Sequence, residues 1–139
     1  MREIEVPLRV TTELDDKIQD LAPWQNTSWN GLCIKAIKTA YYVKNQWEAE
    51  RVIYSDGLPL GLPWPLDPSL EPMNTIKMTL TPELKSQFEK TCTYFSRHPH
   101  TIIDWGIECG IILADAMLLH EVYAQKTGEH HTIPCSIQH

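Results

Sequence analysis

Residues 4–14 read IEVPLRVTTEL and residues 74–84 read NTIKMTLTPEL, and these two stretches decide the fold. In each stretch apolar and polar residues alternate, which is the period of a β-strand with one buried face. Each strand runs into Thr-x-Glu-Leu, which offers a helix cap followed by an acidic residue in the first turn. Two helical patterns follow each strand, so the chain carries the same half-domain twice.

The helical patterns are bounded by caps and prolines. In the first copy we expect Pro23 to end the short helix, and residues 26–28 are cap candidates for a longer one. No helix breaker intervenes before about Tyr54, so the longer helix can extend that far. In the second copy the long helix is predicted over about residues 101–125, with Thr101 as its cap.

A single strand cannot satisfy its own backbone hydrogen bonds, so the two copies are expected to pair. The sequence therefore predicts a mainly α fold with a two-stranded antiparallel β-ribbon, in which residues 4–10 pair with residues 75–80. The predicted organisation is a first copy at 1–56, a Pro-rich apolar connector at 57–73, a second copy at 74–127 and a flexible tail at 128–139.

The connector is unusual because it is both proline-rich and apolar. It holds five of the ten prolines of the chain, and its 17 residues can span roughly 50 Å at about 3.1 Å per residue. The connector is therefore long enough for the two copies to pair within one chain, which would give a monomer with an internal pseudo-two-fold axis; a homodimer is the alternative.

The apolar side chains of the connector should pack on the helices or on a partner. They are Leu58, Leu60, Leu62, Trp64 and Leu66.

Composition limits the classes of function. The formal net charge of −6 counts against a strongly nucleic-acid-binding protein, although only one face must carry a positive field. No apolar run approaches the ~18 residues of a membrane span, and the first residues lack the apolar core of a signal peptide. A cytoplasmic location is therefore expected. The four cysteines, at 33, 92, 109 and 135, show no CxxC spacing and are expected to be buried thiols.

The order of strand, short helix and long helix, with a cap-rich turn between the helices, resembles the ribbon-helix-helix family of transcription regulators, the superfamily of the Arc and MetJ repressors. The resemblance covers about residues 3–47 and 74–123. It implies an antiparallel ribbon that enters the major groove of DNA and a second helix whose N-terminus holds a phosphate. The base-facing positions would be Glu5, Pro7, Arg9, Thr75, Lys77 and Thr79. The phosphate-contacting positions would be Thr27, Ser28, Trp29, Asn30, His100, Thr101 and Ile102.

These observations predict a DNA-binding transcriptional regulator that reads an operator with its ribbon. Among the base-facing residues, only Arg9 and Lys77 are well suited to guanine edges. The alternative is an acidic ribbon-helix-helix scaffold that binds a protein partner, in the manner of an antitoxin or an inhibitor. No nucleophile, base and acid form a set, so no enzyme is expected, and neither a metal nor a cofactor is expected. His131, Cys135 and His139 have four-residue spacing, but Pro134 disfavours a single helical face and no CxxC accompanies them, so they are not expected to bind a metal.

Overall fold

The computed structural model describes residues 2–49, 62–68 and 71–127, and in the last helix it describes side chains as far as Ala114. The expectations for residues 50–61 and 128–139 lie outside this part. The elements follow in the order β1 (Ile4–Val10), α1 (Thr12–Trp24), α2 (Trp29–Glu48), β2 (Asn74–Leu80), α3 (Pro82–Phe95) and α4 (Pro99–Thr127). The predicted mainly α fold with one two-stranded antiparallel ribbon is confirmed at this level.

The ribbon pairs the two strands along their full length. Ile4 lies opposite Leu80, and the pairing runs antiparallel to Val10 opposite Asn74. The predicted pairing of residues 4–10 with 75–80 is therefore confirmed, and the second strand includes one further residue, Asn74. One face of the ribbon is apolar and enters the core, where Leu8, Val10, Met78 and Leu80 are each at most 1% exposed.

The short helices start as the sequence predicts, because the Thr11 and Thr81 hydroxyls accept the backbone N–H of the residue three positions on. Helix α2 ends at Glu48, with Ala49 as its C-cap, so it does not extend to about Tyr54. Two other predicted boundaries are wrong. Pro23 lies inside the last turn of α1, which ends at Trp24, since a proline there removes only one helical hydrogen bond near the end. The second long helix starts at Pro99, whose ring suits the first helical position, so Thr101 lies within the first turn and is not the cap.

The two long helices meet at a close crossing. A Cβ atom added to Gly106 of α4 would lie 2.2 Å from the carbonyl oxygen of Ala36 on α2, so only glycine allows this approach. Around the crossing, Ile37, Ala40 and Ile103 are fully buried and form the centre of one core with the ribbon. The tight contact fixes how the first half of the chain sits on the second.

The longest helix, α4, is held to α1 by ion pairs. The Lys17 ammonium donates to Asp104 at 2.6 Å and also to Glu108. These pairs are partly exposed, so they orient α4 more than they stabilise it. Neither α4 nor any other helix in the described residues has the length and apolar character needed to cross a membrane.

The cysteines of the described residues are free thiols. Cys33 and Cys109 are buried and Cys92 is half-buried, and burial raises the pKa of each thiol to about 12. The expected buried thiols are confirmed for Cys33 and Cys109, whereas Cys135 lies outside the described part. A thiol with such a pKa is protonated at neutral pH and unreactive.

The connector packs over residues 62–68 on α3 and α4 of the second half and on Trp47 of α2. Leu62 is buried, and the Trp64 ring makes edge contacts with Trp47 at 5.4 Å and with Phe95 at 4.9 Å between ring centroids. The Trp105 indole donates to the Pro63 carbonyl oxygen at 2.5 Å. The expected packing is confirmed for Leu62, whereas Trp64 makes these ring contacts while 40% of the residue stays exposed.

One connector residue departs from that expectation, and two lie outside the described part. Leu66 is 75% exposed, so the prediction is wrong for this side chain. The buried residues of this segment, Leu62 and Pro65, are three positions apart, as in a polyproline helix with three residues per turn, and Leu66 falls outside that spacing. Leu58 and Leu60 are among the residues that are not described.

Replacing Trp64 by Ser should lower the free energy of unfolding by about 1–3 kcal/mol, because the indole loses its contacts with Trp47 and Phe95. The matched control is Leu66→Ser, which removes an exposed apolar side chain two residues away and should change stability by less than about 0.5 kcal/mol. Urea denaturation of the three proteins measures both effects. Equal stability of all three would show that residues 62–68 serve only as a tether.

Candidate nucleic-acid interface

The ribbon presents its second face to solvent. Pro7 lies opposite Lys77 at the centre, Glu5 opposite Thr79 and Arg9 opposite Thr75. Directly opposed residues point to the same side of a sheet, so the structure brings all six side chains predicted to face bases onto one surface. Five of them are exposed, and Thr79 is half-buried.

Charge on this surface is uneven. Arg9 and Lys77 are diagonal neighbours across the strands, with Lys77 at the centre and Arg9 towards one end, whereas Glu5 places an acid towards the other end. The sum over these three groups is +1, in a chain whose formal charge is −6. The Arg9 guanidinium donates to the Pro72 carbonyl oxygen at 3.1 Å, so the segment preceding β2 holds one of its nitrogens while the group stays exposed.

Asn30 links the start of α2 to the ribbon. Its amide nitrogen donates to the Thr79 carbonyl oxygen at 3.1 Å, and its amide oxygen accepts the Thr79 backbone N–H at 2.8 Å. These two bonds satisfy the backbone of β2 on the side that β1 does not reach. Asn30 therefore ties the first turn of α2 to the backbone of β2, a role that the sequence pattern did not indicate.

The N-terminus of α2 combines a cap with a nearby acid. The exposed Ser28 hydroxyl accepts the Gly31 backbone N–H at 2.9 Å. The Trp29 indole donates to the Asp15 carboxylate at 3.0 Å. Thr27 also lies close to the helix start, because a Cβ atom added to Gly31 would be 2.0 Å from the Thr27 hydroxyl oxygen. The four residues predicted to contact phosphate thus surround one helix start, but Trp29 and Asn30 already have partners for their side-chain donors.

The N-terminus of α4 carries a carboxylate from the connector. The Thr101 hydroxyl donates to the Asp67 carboxylate at 2.6 Å. The hydrogen bond from Thr101 lowers the pKa of Asp67, and the His98 N–H and the charge of Arg97 lower it further. An intrachain anion therefore lies at the start of the helix, where the resemblance places a phosphate.

The other two residues predicted for this second phosphate contact are buried. His100 is 4% exposed, and its Nε2 has no hydrogen-bond partner among the described residues. Burial lowers the pKa of His100 and the stacked ring of His98 lowers it further, so the neutral imidazole is favoured. Ile102 is fully buried, and its N–H donates to the His98 carbonyl oxygen inside the helix.

Asp67 is the residue of this region that the sequence did not single out. It sits 34 positions before Thr101, and no local signal connects an acid in a proline-rich segment to a distant helix start. Only the packing of residues 62–68 against α3 and α4 brings the two together.

Comparison of the chain with protein-family models, with curated proteins and with solved structures found no match.

The bonds to Asp67 should make stability depend on acid pH. A carboxyl group whose pKa is lowered by folding stabilises the native state above its unfolded pKa of about 3.9, and this contribution is lost as the pH falls through the lower folded pKa. The difference in unfolding free energy between the native protein and Asp67→Asn should therefore shrink on acidification. Urea denaturation over a pH series measures it.

Thr101→Val is the matched variant for this series, because it removes the donor and leaves the carboxyl group. In the Thr101→Val background the effect of Asp67→Asn should be smaller and less dependent on pH. A difference between native protein and Asp67→Asn that stays constant from neutral to strongly acid pH would contradict the assigned contacts.

Proposed function

We propose that the chain is a tandem ribbon-helix-helix protein whose two copies form an intrachain pseudo-dimer. The support is a constant offset of 70 positions between corresponding elements: the strands begin at 4 and 74, the short helices at 12 and 82, and the long helices at 29 and 99. The cap threonines at 11 and 81 and the left-handed residues Asn26 and Ser96 keep the same offset. The central ribbon pair, Pro7 and Lys77, obeys it as well, as a pseudo-two-fold axis requires.

The function that this geometry supports best is that of a DNA-binding transcriptional regulator, acting in the cytoplasm and reading an operator with its ribbon. The observation that carries it is the outward face of the ribbon, which gathers six side chains from both strands. A two-stranded ribbon fits the major groove, which is ~12 Å wide. Arg9 and Lys77 supply the donors for guanine edges, and Thr75 and Thr79 can bond to several bases.

The phosphate contacts of such a complex would be asymmetric. The start of α2 offers backbone N–H groups and the exposed Ser28 hydroxyl. The start of α4 already holds the Asp67 carboxylate, which would repel a phosphate. We therefore expect one half of the pseudo-dimer to grip the DNA backbone more strongly than the other, which suits an operator without palindromic symmetry.

A second candidate function is protein binding by the same scaffold, without specific DNA readout. The observation that favours it is the presence of carboxylates at both helix starts, Asp15 beside Trp29 and Asp67 beside Thr101. Together with the formal charge of −6, these groups oppose the approach of a polyanion. Mobility-shift assays with genomic and random DNA at two salt concentrations separate the two candidates.

Arg9→Ala tests base readout. A bidentate contact with guanine discriminates by about 1–3 kcal/mol, so binding to a site selected from a random DNA pool should weaken by that amount, with far less change on unselected DNA. Lys90→Ala is the control, since it removes an exposed cation from α3, away from the ribbon. Quantitative mobility shifts give the affinities. If no salt-dependent complex forms, or if Arg9→Ala and Lys90→Ala behave alike, the regulator proposal fails.

Asp67→Asn tests the asymmetry of the phosphate contacts. Loss of this charge should strengthen binding to both selected and unselected DNA, and one new phosphate contact would steepen the log–log salt dependence by about 0.9. Asp20→Asn, an equal change of charge at an exposed site on α1, controls for the net charge. The measurement is affinity across a salt series. Identical effects of the two substitutions would show that Asp67 does not block a phosphate site.

A further inference from the structure

A groove between α2 and α4 lies open in the described part of the chain. Its volume is about 560 Å³, and its apolar lining includes Ile107, Gly110 and Ala114 of α4. Lys35 and Lys38 of α2 also line it, and both are exposed. Neither lysine forms an ion pair with a carboxylate of the described residues. The groove is therefore an apolar channel beside two available cations.

The chain shows what fills the corresponding place in its other half. Gln25 and Lys35 line the open groove, and the residues 70 positions later are Phe95 and Trp105. These two aromatic residues contact the connector, Phe95 through the Trp64 ring and Trp105 through its hydrogen bond to the Pro63 carbonyl oxygen. One of two corresponding surfaces thus already holds an extended, proline-rich segment. This correspondence rests on the two-copy arrangement proposed above.

The open groove differs from the filled one in polarity. Phe95 and Trp105 of the filled surface correspond to Gln25 and Lys35 of the open groove, which are an amide and a cation. Lys38 adds a second cation to the open groove. A complementary segment would therefore keep the apolar and proline residues of the connector and would add a carboxylate facing the lysines. The connector itself has this composition in the stretch GLPWPLDP at residues 61–68.

We propose that the α2–α4 groove is a docking site for an extended segment of a partner protein that contains proline, apolar residues and at least one carboxylate. Its apolar side chains lie against Ile107, Gly110 and Ala114, and its acid pairs with Lys35 and Lys38. The site is separate from the outward face of the ribbon, so partner binding and DNA binding use different residues.

The test uses the full chain and a fluorescent peptide of sequence GLPWPLDP, with binding followed by anisotropy. Gly110→Leu should weaken binding about tenfold or more by filling the groove, a loss that corresponds to ~1.4 kcal/mol. This variant should fold, because among the described residues a Cβ at Gly110 meets only the Thr39 side chain, at 3.8 Å. Lys35→Glu should weaken binding by about threefold or more, and Lys90→Glu on α3 is the control for charge.

A peptide in which Lys replaces the acid should bind more weakly than the original to the native chain and should lose this disadvantage with Lys35→Glu. A photoreactive residue placed at Ala114 of the full chain should cross-link to the bound peptide. No saturable binding, or binding unaffected by Gly110→Leu, overturns the proposal.

Cross-links from position 114 to residues 128–139 of the same chain, or to a second copy, also overturn it by identifying another occupant. Mobility shifts with Gly110→Leu should match those of the native chain, so the groove and the DNA interface can fail independently.

Discussion

The structure depends on the pairing of β1 with β2. Each strand has one apolar face that needs a core and one row of backbone groups that needs a partner strand, and the two strands lie at opposite halves of the sequence. Their seven residue pairs bring the halves together face to face. The long helices must then cross beneath the ribbon, and Gly106 allows them to do so at backbone contact with Ala36. Ribbon and crossing together enclose a single core.

The connector makes the two halves unequal. Both halves have the same order of elements at the same spacing, but residues 62–68 lie mainly against the second, with Trp47 of α2 as a contact from the first. There the connector covers Phe95 and Trp105 and places Asp67 at the start of α4. The corresponding surfaces of the first half are an open groove and a helix start capped by Ser28. Two halves with the same order of elements thereby present different surfaces to solvent.

The acidic side chains are distributed unevenly over the molecule, and their positions set the local electrostatic field. Several carboxylates are engaged within the chain: Asp104 and Glu108 pair with Lys17, Asp15 accepts from Trp29, and Asp67 accepts from Thr101. The ribbon face keeps two cations against one acid. Since the field that a ligand meets is set by nearby groups more than by the total charge, a formal charge of −6 is compatible with a locally positive surface. The Asp67 carboxylate makes the field more negative at the start of α4.

The sequence by itself determined the strands, the order of the helices, the threonine caps and the pairing of the two halves, because alternation, helical periodicity and capping are local patterns. It also determined which six side chains share the outward face, since the strand period assigns faces without reference to the rest of the chain. Only the tertiary structure decided that Asn30 bonds to the backbone of Thr79, that His100 is buried, and that Asp67 meets Thr101. These contacts join residues 34 or more positions apart or depend on burial between elements. They arise from how the packed elements meet, which no short stretch of sequence encodes.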